Sequence, residues 1–301
     1  MPVSEGTTLE NWDEVRTAYQ VARMGTVSAA ADILGVHHAT VIRHIDALEK
    51  RLGAKLFQRH ARGYTPTEAG RDLLSVAQTT EEQFGQLISR IKGQGEVVSG
   101  ELVVTAITGV ADLLMPVFGA FQVAHPDVSI RFLTDMRLFR LDYGEAHVAI
   151  RAGPAPQEPD NVAQPLINMR IGLYASRAYV ARHGMPADEA DLRKHRFVST
   201  DNPDSRAPFL RWLKDAVPGS SIMFRVTEPA ATEAAITNGL AIGFMAVWKA
   251  ATNPDLIEVI PSKPEWASPL WIVTHVDLHR TLKVQSFLAH LKQAAAGWLG
   301  I

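Results

Sequence analysis

The side chains best suited to chemistry lie between residues 37 and 64. This stretch carries an excess of four positive charges, although the whole chain has a net charge of −2. Near its beginning, His38, Thr40 and Arg43 offer an imidazole, a hydroxyl and a guanidinium, which can hydrogen-bond to base edges in a major groove. The charge excess suits contact with phosphates. The alternative interpretation is the solvated face of an ordinary helical pair. The basic residues are Arg43, Lys50, Arg51, Lys55, Arg59 and Arg62, and the acidic ones are Asp46 and Glu49.

Two short helices joined by a tight turn would hold these side chains. Ser28 is the predicted N-cap of the first helix, and Gly35 can adopt the left-handed conformation that ends it. The second helix is predicted to begin near His37. Its apolar residues recur at steps of four, three and four, which predicts one buried stripe; they are Val41, Ile45, Leu48 and Leu52. A turn of about 100° per residue then directs Ala39, Thr40 and Arg43 away from that stripe.

The residues after this helix predict a short β-wing over 55–65. In a wing, Arg59 and Arg62 would lie against the DNA backbone. The alternative is a mobile basic loop. The histidines of this region, His37, His38, His44 and His60, have no carboxylate or cysteine at a matching ligand spacing, so we predict no metal site.

Four linked segments, AADxLGV, HHATVIRHIDALE, RLGAKLFQR and TPTEAG, occur in this order. In that order they resemble the N-terminal domain of LysR-type transcriptional regulators over roughly residues 9 to 70. The resemblance implies a winged helix-turn-helix. The helical spacing of Trp12, Val15, Tyr19 and Ala22 predicts its first helix, with the aromatic residues in the core. On the exposed face of the second helix of the pair, we expect His38, Ala39, Thr40 and Arg43 to meet bases, while Arg59 and Arg62 in the wing hold the backbone. The chain departs from the family at Ile42 and His38, where Ser and Gln are frequent.

A long helix is predicted to follow the wing. Thr65, Pro66 and Glu68 form a capping-box pattern with proline at the first helical position. Apolar and small residues then repeat as an a/d seam, namely Leu73, Ala77, Thr80, Phe84, Leu87 and Ile91. Packing against the chain's own domains is the alternative to pairing with a second copy. We expect a homodimer, and the family resemblance implies further pairing, to a homotetramer. The glycine-rich stretch 92–100 is predicted to be a hinge.

From residue 101 onwards, strands alternate with helices, which predicts α/β organisation with a largely parallel sheet. A second series begins near Asn168. The predicted layout is a winged helix-turn-helix in residues 1–66, a dimerising linker helix and hinge in 67–99, and an effector-binding domain in 100–301. Within that domain, lobe I comprises 100–167 and 269–301, and lobe II comprises 168–268. This two-lobed half resembles the periplasmic-binding-protein-like effector domain of the same family, although His147 stands where an acidic residue is more usual.

Small polar residues recur at the carboxyl ends of the predicted strands, where ligands bind in open α/β sheets. Each could instead be a simple helix cap. Because they converge in a two-lobed fold, we predict a small-molecule effector there, and nearby helix N-termini favour an organic anion. The predicted contact residues are Thr108, Gly109, Thr134, Asp135, Ser199, Thr200, Thr227 and Phe244.

Composition limits the remaining functions. The chain has no cysteine, which excludes disulfides and thiolate metal sites. No secretory signal is visible, and Asp112 and Pro116 interrupt the longest weakly charged run, so we expect a cytoplasmic protein without a membrane span. An α/β enzyme with accessory helices and a solute-binding protein are the alternatives; no catalytic motif supports the former. We expect double-stranded DNA and a small effector as partners, with RNA polymerase as a further candidate, and no cofactor.

Overall fold

The computed structural model describes residues 11–61, 63–91, 97–135 and 138–298. The N-terminal unit consists of α1 (Trp12–Met24), α2 (Val27–Leu34), α3 (His38–Leu52) and a hairpin of β1 (Phe57–His60) with β2 (Gly63–Pro66). The hairpin strands are antiparallel. The long helix α4 (Glu68–Ile91) follows. Residues 92–96 of the predicted hinge lie outside the described residues, and so does Arg62.

Two predicted helix caps are wrong by two residues. Thr26, not Ser28, caps α2: its backbone is extended and its hydroxyl accepts the Ala29 N–H. Ser28 lies inside the first turn, where an N-cap conformation is not available. Likewise Thr67, not Thr65, begins α4, because its hydroxyl accepts the Gly70 N–H at 3.2 Å. Pro66 is the last residue of β2 rather than the first of the helix.

The core of the N-terminal unit lies under α3. Val41, Ile45 and Leu48 are fully buried, as the apolar spacing predicts. Leu52 is 37% exposed because it is the last residue of the helix. Trp12, predicted to lie in the core, is 60% exposed at the first turn of α1.

Lobe I is built on a five-stranded sheet with the order β4-β3-β5-β12-β6. Strands β3, β4 and β5 run parallel, while β12 is antiparallel to both β5 and β6. Rings from α5 and α11, including Phe118, Phe121 and Phe287, stack beneath the sheet. The elements of this lobe are β3 (Gly100–Ala106), α5 (Ala111–Ala124), β4 (Val128–Thr134), β5 (Val148–Ala152), β6 (Asn161–Met169), β12 (Ser268–His275), α10 (Val276–His279) and α11 (Leu282–Ala296).

Lobe II departs from the predicted parallel arrangement. Its sheet β10-β7-β11 is antiparallel throughout, and β8 pairs with β9 in parallel. A bridge between Phe197 and Ile242 joins the two groups. The elements are β7 (Ile171–Ser176), α6 (Arg177–His183), β8 (Phe197–Thr200), α7 (Pro208–Ala216), β9 (Ile222–Val226), α8 (Pro229–Thr237), β10 (Gly243–Ala246), α9 (Val247–Ala250) and β11 (Leu256–Ile260).

Short 3-10 helices connect several of these elements, at Thr108–Val110, Leu141–Tyr143, Asp191–Lys194, Gly219–Ser221 and Pro264–Trp266. Among the described residues, Leu141–Tyr143 is the helix between β4 and β5, where the alternation of strands with helices predicts a longer one. Among the described helices, none is long and apolar enough to cross a membrane.

Candidate functional site

The exposed face of α3 presents the side chains predicted to meet bases. His38, Ala39 and Arg43 are exposed and Thr40 is half-buried, opposite the buried stripe of the same helix. Within the described part of the chain, no hydrogen bond or ion pair engages the Arg43 guanidinium. The helix therefore offers one free guanidinium and neighbouring polar groups at its N-terminal end.

Glu49 joins this helix to the wing. One oxygen of its buried carboxylate accepts the backbone N–H groups of Leu56 and Phe57 at 3.0 and 3.2 Å. The other oxygen receives Lys55 at 2.6 Å and Arg59 at 3.2 Å. Burial raises the pKa of Glu49, but the hydrogen bonds from Lys55 and the two backbone groups outweigh burial and hold the pKa below its ordinary value. The carboxylate thus stays charged and fixes the hairpin on α3.

Arg59 is engaged inside the protein. Its Nη2 atom lies 2.5 Å from Asp46 and 3.2 Å from Glu49, and its guanidinium lies over the Tyr64 ring. The described contacts occupy Nη2, so the N–H groups of Nη1 and Nε remain to donate to a phosphate. Arg62, the other predicted backbone contact, lies outside the described residues.

The charge count of this region overstates its free positive charge. Arg51 forms an ion pair with Glu14 of α1. Glu14 lies outside residues 37–64, so the charge count of that stretch does not include it. His44 is bound to the Thr17 hydroxyl at 2.9 Å, so it joins α3 to α1. Among the described basic residues of this stretch, Arg43 and Lys50 carry no ion pair with an acidic side chain.

The predicted seam of α4 divides into two parts. Leu73 and Ala77 pack against the core of the N-terminal unit. Further along, Phe84 and Leu87 are 54% and 41% exposed, and Val76 and Ile88 extend the same apolar strip. Thr80 lies between the two parts with its hydroxyl donating to the Val76 carbonyl. The side chain of Ile91 lies outside the described set.

A cavity of about 420 Å³ lies between the two lobes. Six of the eight predicted effector residues line it: Gly109, Asp135, Ser199, Thr200, Thr227 and Phe244. Thr108 and Thr134 are not among its lining residues. Thr134 is the exposed last residue of β4, which is the edge strand of the lobe I sheet.

Arg151 also lines the cavity, and sequence reasoning did not assign it there. A charged residue in the apolar strand HVAIRAG was the available signal. Its side chain is 12% exposed, with Nη1 3.1 Å from Glu158 and Nη2 donating to the Phe139 carbonyl at 3.2 Å. Apolar side chains also line the cavity, including Ile107, Leu138, Phe139, Phe209 and Leu210. The cavity thus combines an apolar body with few polar groups, as ligand sites do.

An ion bridge crosses between the lobes beside this cavity. Lys249 of α9 lies 3.2 Å from Asp112 of lobe I and 2.7 Å from Glu233 of lobe II. Burial lowers the pKa of Lys249, but Glu233 and Asp112 outweigh burial and raise it. Glu233 lines the cavity, so its charge there is balanced by Lys249. Among the described residues, no group of three or more His, Asp and Glu side chains could hold a metal ion.

Comparisons with known proteins agree with this arrangement. The sequence model described as "Bacterial regulatory helix-turn-helix protein, lysR family" matches residues 12–71, and the "LysR substrate binding domain" model matches residues 95–296. The chain is 27% identical over 287 residues to the probable HTH-type transcriptional regulator LtrA of Klebsiella pneumoniae, covering 91% of each chain. It is 32% identical over 203 residues to the HTH-type transcriptional activator IlvY of Salmonella typhimurium, covering 65% of this chain and 64% of that one.

Among solved structures, ArgP from Mycobacterium tuberculosis has a similar fold. The TM-score is 0.73 at 20% sequence identity, and the superposition covers 96% of this chain and 98% of that one. The matched families and the curated relatives are transcriptional regulators rather than enzymes.

Proposed function

Because this chain belongs to the family of LysR-type transcriptional regulators, we propose that it reads its operator with the exposed face of α3. It is a DNA-binding regulator with an effector-binding domain. In this proposal His38, Ala39, Thr40 and Arg43 meet base edges, while Arg59, through Nη1 and Nε, and Arg62 hold phosphates. The observation that carries the proposal is Arg43, which is exposed and has no ion pair among the described residues, on a helix whose opposite face buries Val41, Ile45 and Leu48.

Binding to duplexes selected from a random pool tests this assignment. Arg43→Ala should weaken binding by about 1 to 3 kcal/mol and relax specificity at one base position, because a base contact is lost. Arg62→Ala should instead reduce the salt slope by about one, because a proposed phosphate contact is lost. Lys292→Ala is the control, since it removes an exposed positive charge from α11 of the effector domain. If Arg43→Ala bound as tightly and selectively as the wild type, α3 would not be the reading helix.

The proposed assembly uses the C-terminal half of α4. Phe84 and Leu87, together with Val76 and Ile88, form an exposed apolar strip, and strips of this kind usually mark an interface. A dimer formed there would present two recognition helices to two half-sites. The proposal also includes the pairing of two dimers to a tetramer. It further includes domain boundaries at residues 66 and 99 and the division of the effector-binding domain into two lobes.

Sedimentation velocity tests the strip. Phe84→Asp combined with Leu87→Asp should shift the protein to a monomer at micromolar concentration, because two charges cannot be buried in an apolar seam. Ile33→Asp combined with Leu52→Asp is the matched control, because these residues are 52% and 37% exposed in the N-terminal unit. A double variant of the strip that stayed as associated as the parent would reject it as the interface.

The proposed effector is a small organic acid bound in the cavity between the lobes. Arg151 supports an anion, because among the described residues that line the cavity it alone carries a positive charge. The first turn of α8 lies at the same cavity and favours negative charge there. Phe209 and Phe244 would hold the apolar part of such a ligand. Asp135 and Glu228 add negative charge to the lining, so a matched amine belongs in every binding screen.

Regulation follows if the effector prefers one angle between the lobes. A ligand shifts such an equilibrium only as far as its affinities for the two states differ. We propose that the protein works in the cytoplasm, where a regulator of this family meets chromosomal DNA. Contact with RNA polymerase at the promoter remains the proposed route from bound DNA to transcription.

A further inference from the structure

The linker helix α4 touches lobe I as well as the N-terminal unit. Gly144 approaches α4 so closely that a Cβ at this position would lie 3.2 Å from the Ser75 hydroxyl, and its φ of +65° also requires glycine. One turn further along the same face, Gln78 meets the imidazole of His147 at 3.2 Å. The helix is therefore seated on lobe I along the side that carries Ser75 and Gln78.

His147 is almost fully buried, with an exposed fraction of 1%. Its Nδ1 atom accepts the backbone N–H of Val103 at 2.8 Å, and the backbone N–H of His147 donates to the Val103 carbonyl at 2.9 Å. Because a backbone N–H can only donate, Nδ1 is the acceptor, and the ring proton is on Nε2. The side-chain nitrogen of Gln78 lies 3.2 Å from His147 Nε2. Because both groups would be donors in that orientation, we assign the Gln78 amide turned over, with its oxygen accepting from Nε2.

Both strands held by this ring continue into the effector cavity. Val103 belongs to β3, whose Thr105 and Ala106 line the cavity, and His147 immediately precedes β5, whose Ile150 and Arg151 line it. On the other side, Tyr19 of α1 donates to Glu81 of α4 at 2.8 Å, which fastens the N-terminal unit to the same helix.

We propose that His147 is a positioning residue that holds α4 in one orientation on lobe I, through hydrogen bonds to Val103 and Gln78. The ring joins the cavity strands to the helix that carries the DNA-binding unit. A movement of β5 relative to β3 would therefore change the position of α4 on lobe I. That regulatory consequence rests on the proposed function, whereas the seating itself does not.

Because the chain has no cysteine, spin labels can be placed without background. Labels at Lys50→Cys on α3 and Lys292→Cys on α11 report the distance between the N-terminal unit and lobe I, since both lysines are exposed. Dilution with unlabelled protein isolates the distance within one chain. The measurement needs neither DNA nor an effector, so its failure is distinct from failure of the proposed function.

We expect one narrow distance in the wild type and a broadened distribution in both His147→Asn and Gln78→Ala. Asparagine can still accept the Val103 N–H but cannot reach Gln78, so exchange of the Val103 amide should stay slow in His147→Asn and accelerate about tenfold in His147→Ala. The double variant His147→Asn with Gln78→Ala should broaden the distance no further than either single one. Thermal unfolding of the effector domain in Gln78→Ala should match that of the wild type.

His279→Asn is the matched control, because His279 is a half-buried lobe I histidine that binds the Thr274 hydroxyl away from α4. It should leave the distance narrow. The proposal would be overturned if the label-to-label distance distribution in Gln78→Ala or in folded His147→Asn were as narrow as in the wild type. It would also be overturned if His279→Asn broadened that distribution as much as they do. If His147→Asn does not fold, the distance in Gln78→Ala decides.

Discussion

Charged side chains are held differently in the N-terminal unit and in the cleft between the lobes. In the N-terminal unit, Lys55 and Arg59 converge on the buried Glu49, which also accepts two backbone N–H groups. In the cleft, Lys249 connects Asp112 of one lobe with Glu233 of the other, and Arg151 pairs with the half-exposed Glu158. The first arrangement lies within one folded unit, and the second includes a bridge between two.

This difference bears on what each region can do. A carboxylate with four hydrogen-bonding partners holds the wing in one position on α3, so the surface proposed to face DNA is preorganised. An ion pair between lobes breaks when the lobes separate, and partly exposed pairs contribute little to stability. The wing is therefore held in place on α3, whereas the proposed effector would exchange internal ion pairs of the cleft for contacts of its own.

The largest effect should come from Glu49. Glu49→Ala removes the acceptor for two buried backbone N–H groups and two cations, so we expect the N-terminal unit to lose about 3 kcal/mol of unfolding free energy. Chemical denaturation followed through Tyr19 and Trp12 fluorescence measures this, and Lys50→Ala on the same helix is the control. If Glu49→Ala were as stable as the control, the wing would not depend on this carboxylate.

The same residue predicts a dependence on pH. The pKa of Glu49 is lowered in the folded state, so its charge stabilises the fold at neutral pH, and this contribution is lost as pH falls through the folded pKa. The stability difference between the wild type and Glu49→Gln should therefore be full at pH 7 and shrink below about pH 4. A difference that stayed constant over this range would show that the charge of Glu49 does not contribute.

In the cleft, Arg151 should have the next largest effect, on ligand affinity rather than on folding. Calorimetry with benzoate as the probe should show that Arg151→Met weakens binding by about 1.5 to 3 kcal/mol, the usual contribution of a hydrogen bond to a charged group. Thr108→Val with Thr134→Val is the control, since neither residue lines the cavity. Benzylamine should bind more weakly than benzoate, and tighter binding of the amine would reverse the predicted sign.

The smallest effect should come from the bridge between the lobes. Lys249→Met should change the free energy of unfolding of the effector domain by less than about 1 kcal/mol, because the pair is partly exposed. Lys214→Met, which alters another lobe II lysine, is the control. A loss as large as that expected for Glu49→Ala would remove the contrast between the two regions.

The two sites also differ in how far the sequence predicts them. The face of α3 follows from a period within one helix, so the placement of Arg43 opposite Val41 and Ile45 was predictable. The pairing of Arg51 with Glu14 was not, because it depends on how α1 crosses α3. Strand ends predicted six cavity residues, but Thr108 and Thr134 do not line the cavity, because which residue at a strand end faces the cleft depends on how the two lobes pack. Nor does the pattern of short strands reveal that the lobe II sheet is antiparallel, since that depends on how the chain returns to β7.

The most direct test of the central claim is the affinity of the wild-type protein for DNA as a function of salt. Duplexes enriched from a random pool and scrambled versions of them would be compared by fluorescence anisotropy between about 50 and 200 mM salt. The account predicts that the logarithm of affinity falls linearly with the logarithm of salt concentration for both, and that the enriched duplexes bind at least about a thousandfold more tightly. Equal affinity for enriched and scrambled duplexes, or affinity independent of salt, would contradict it.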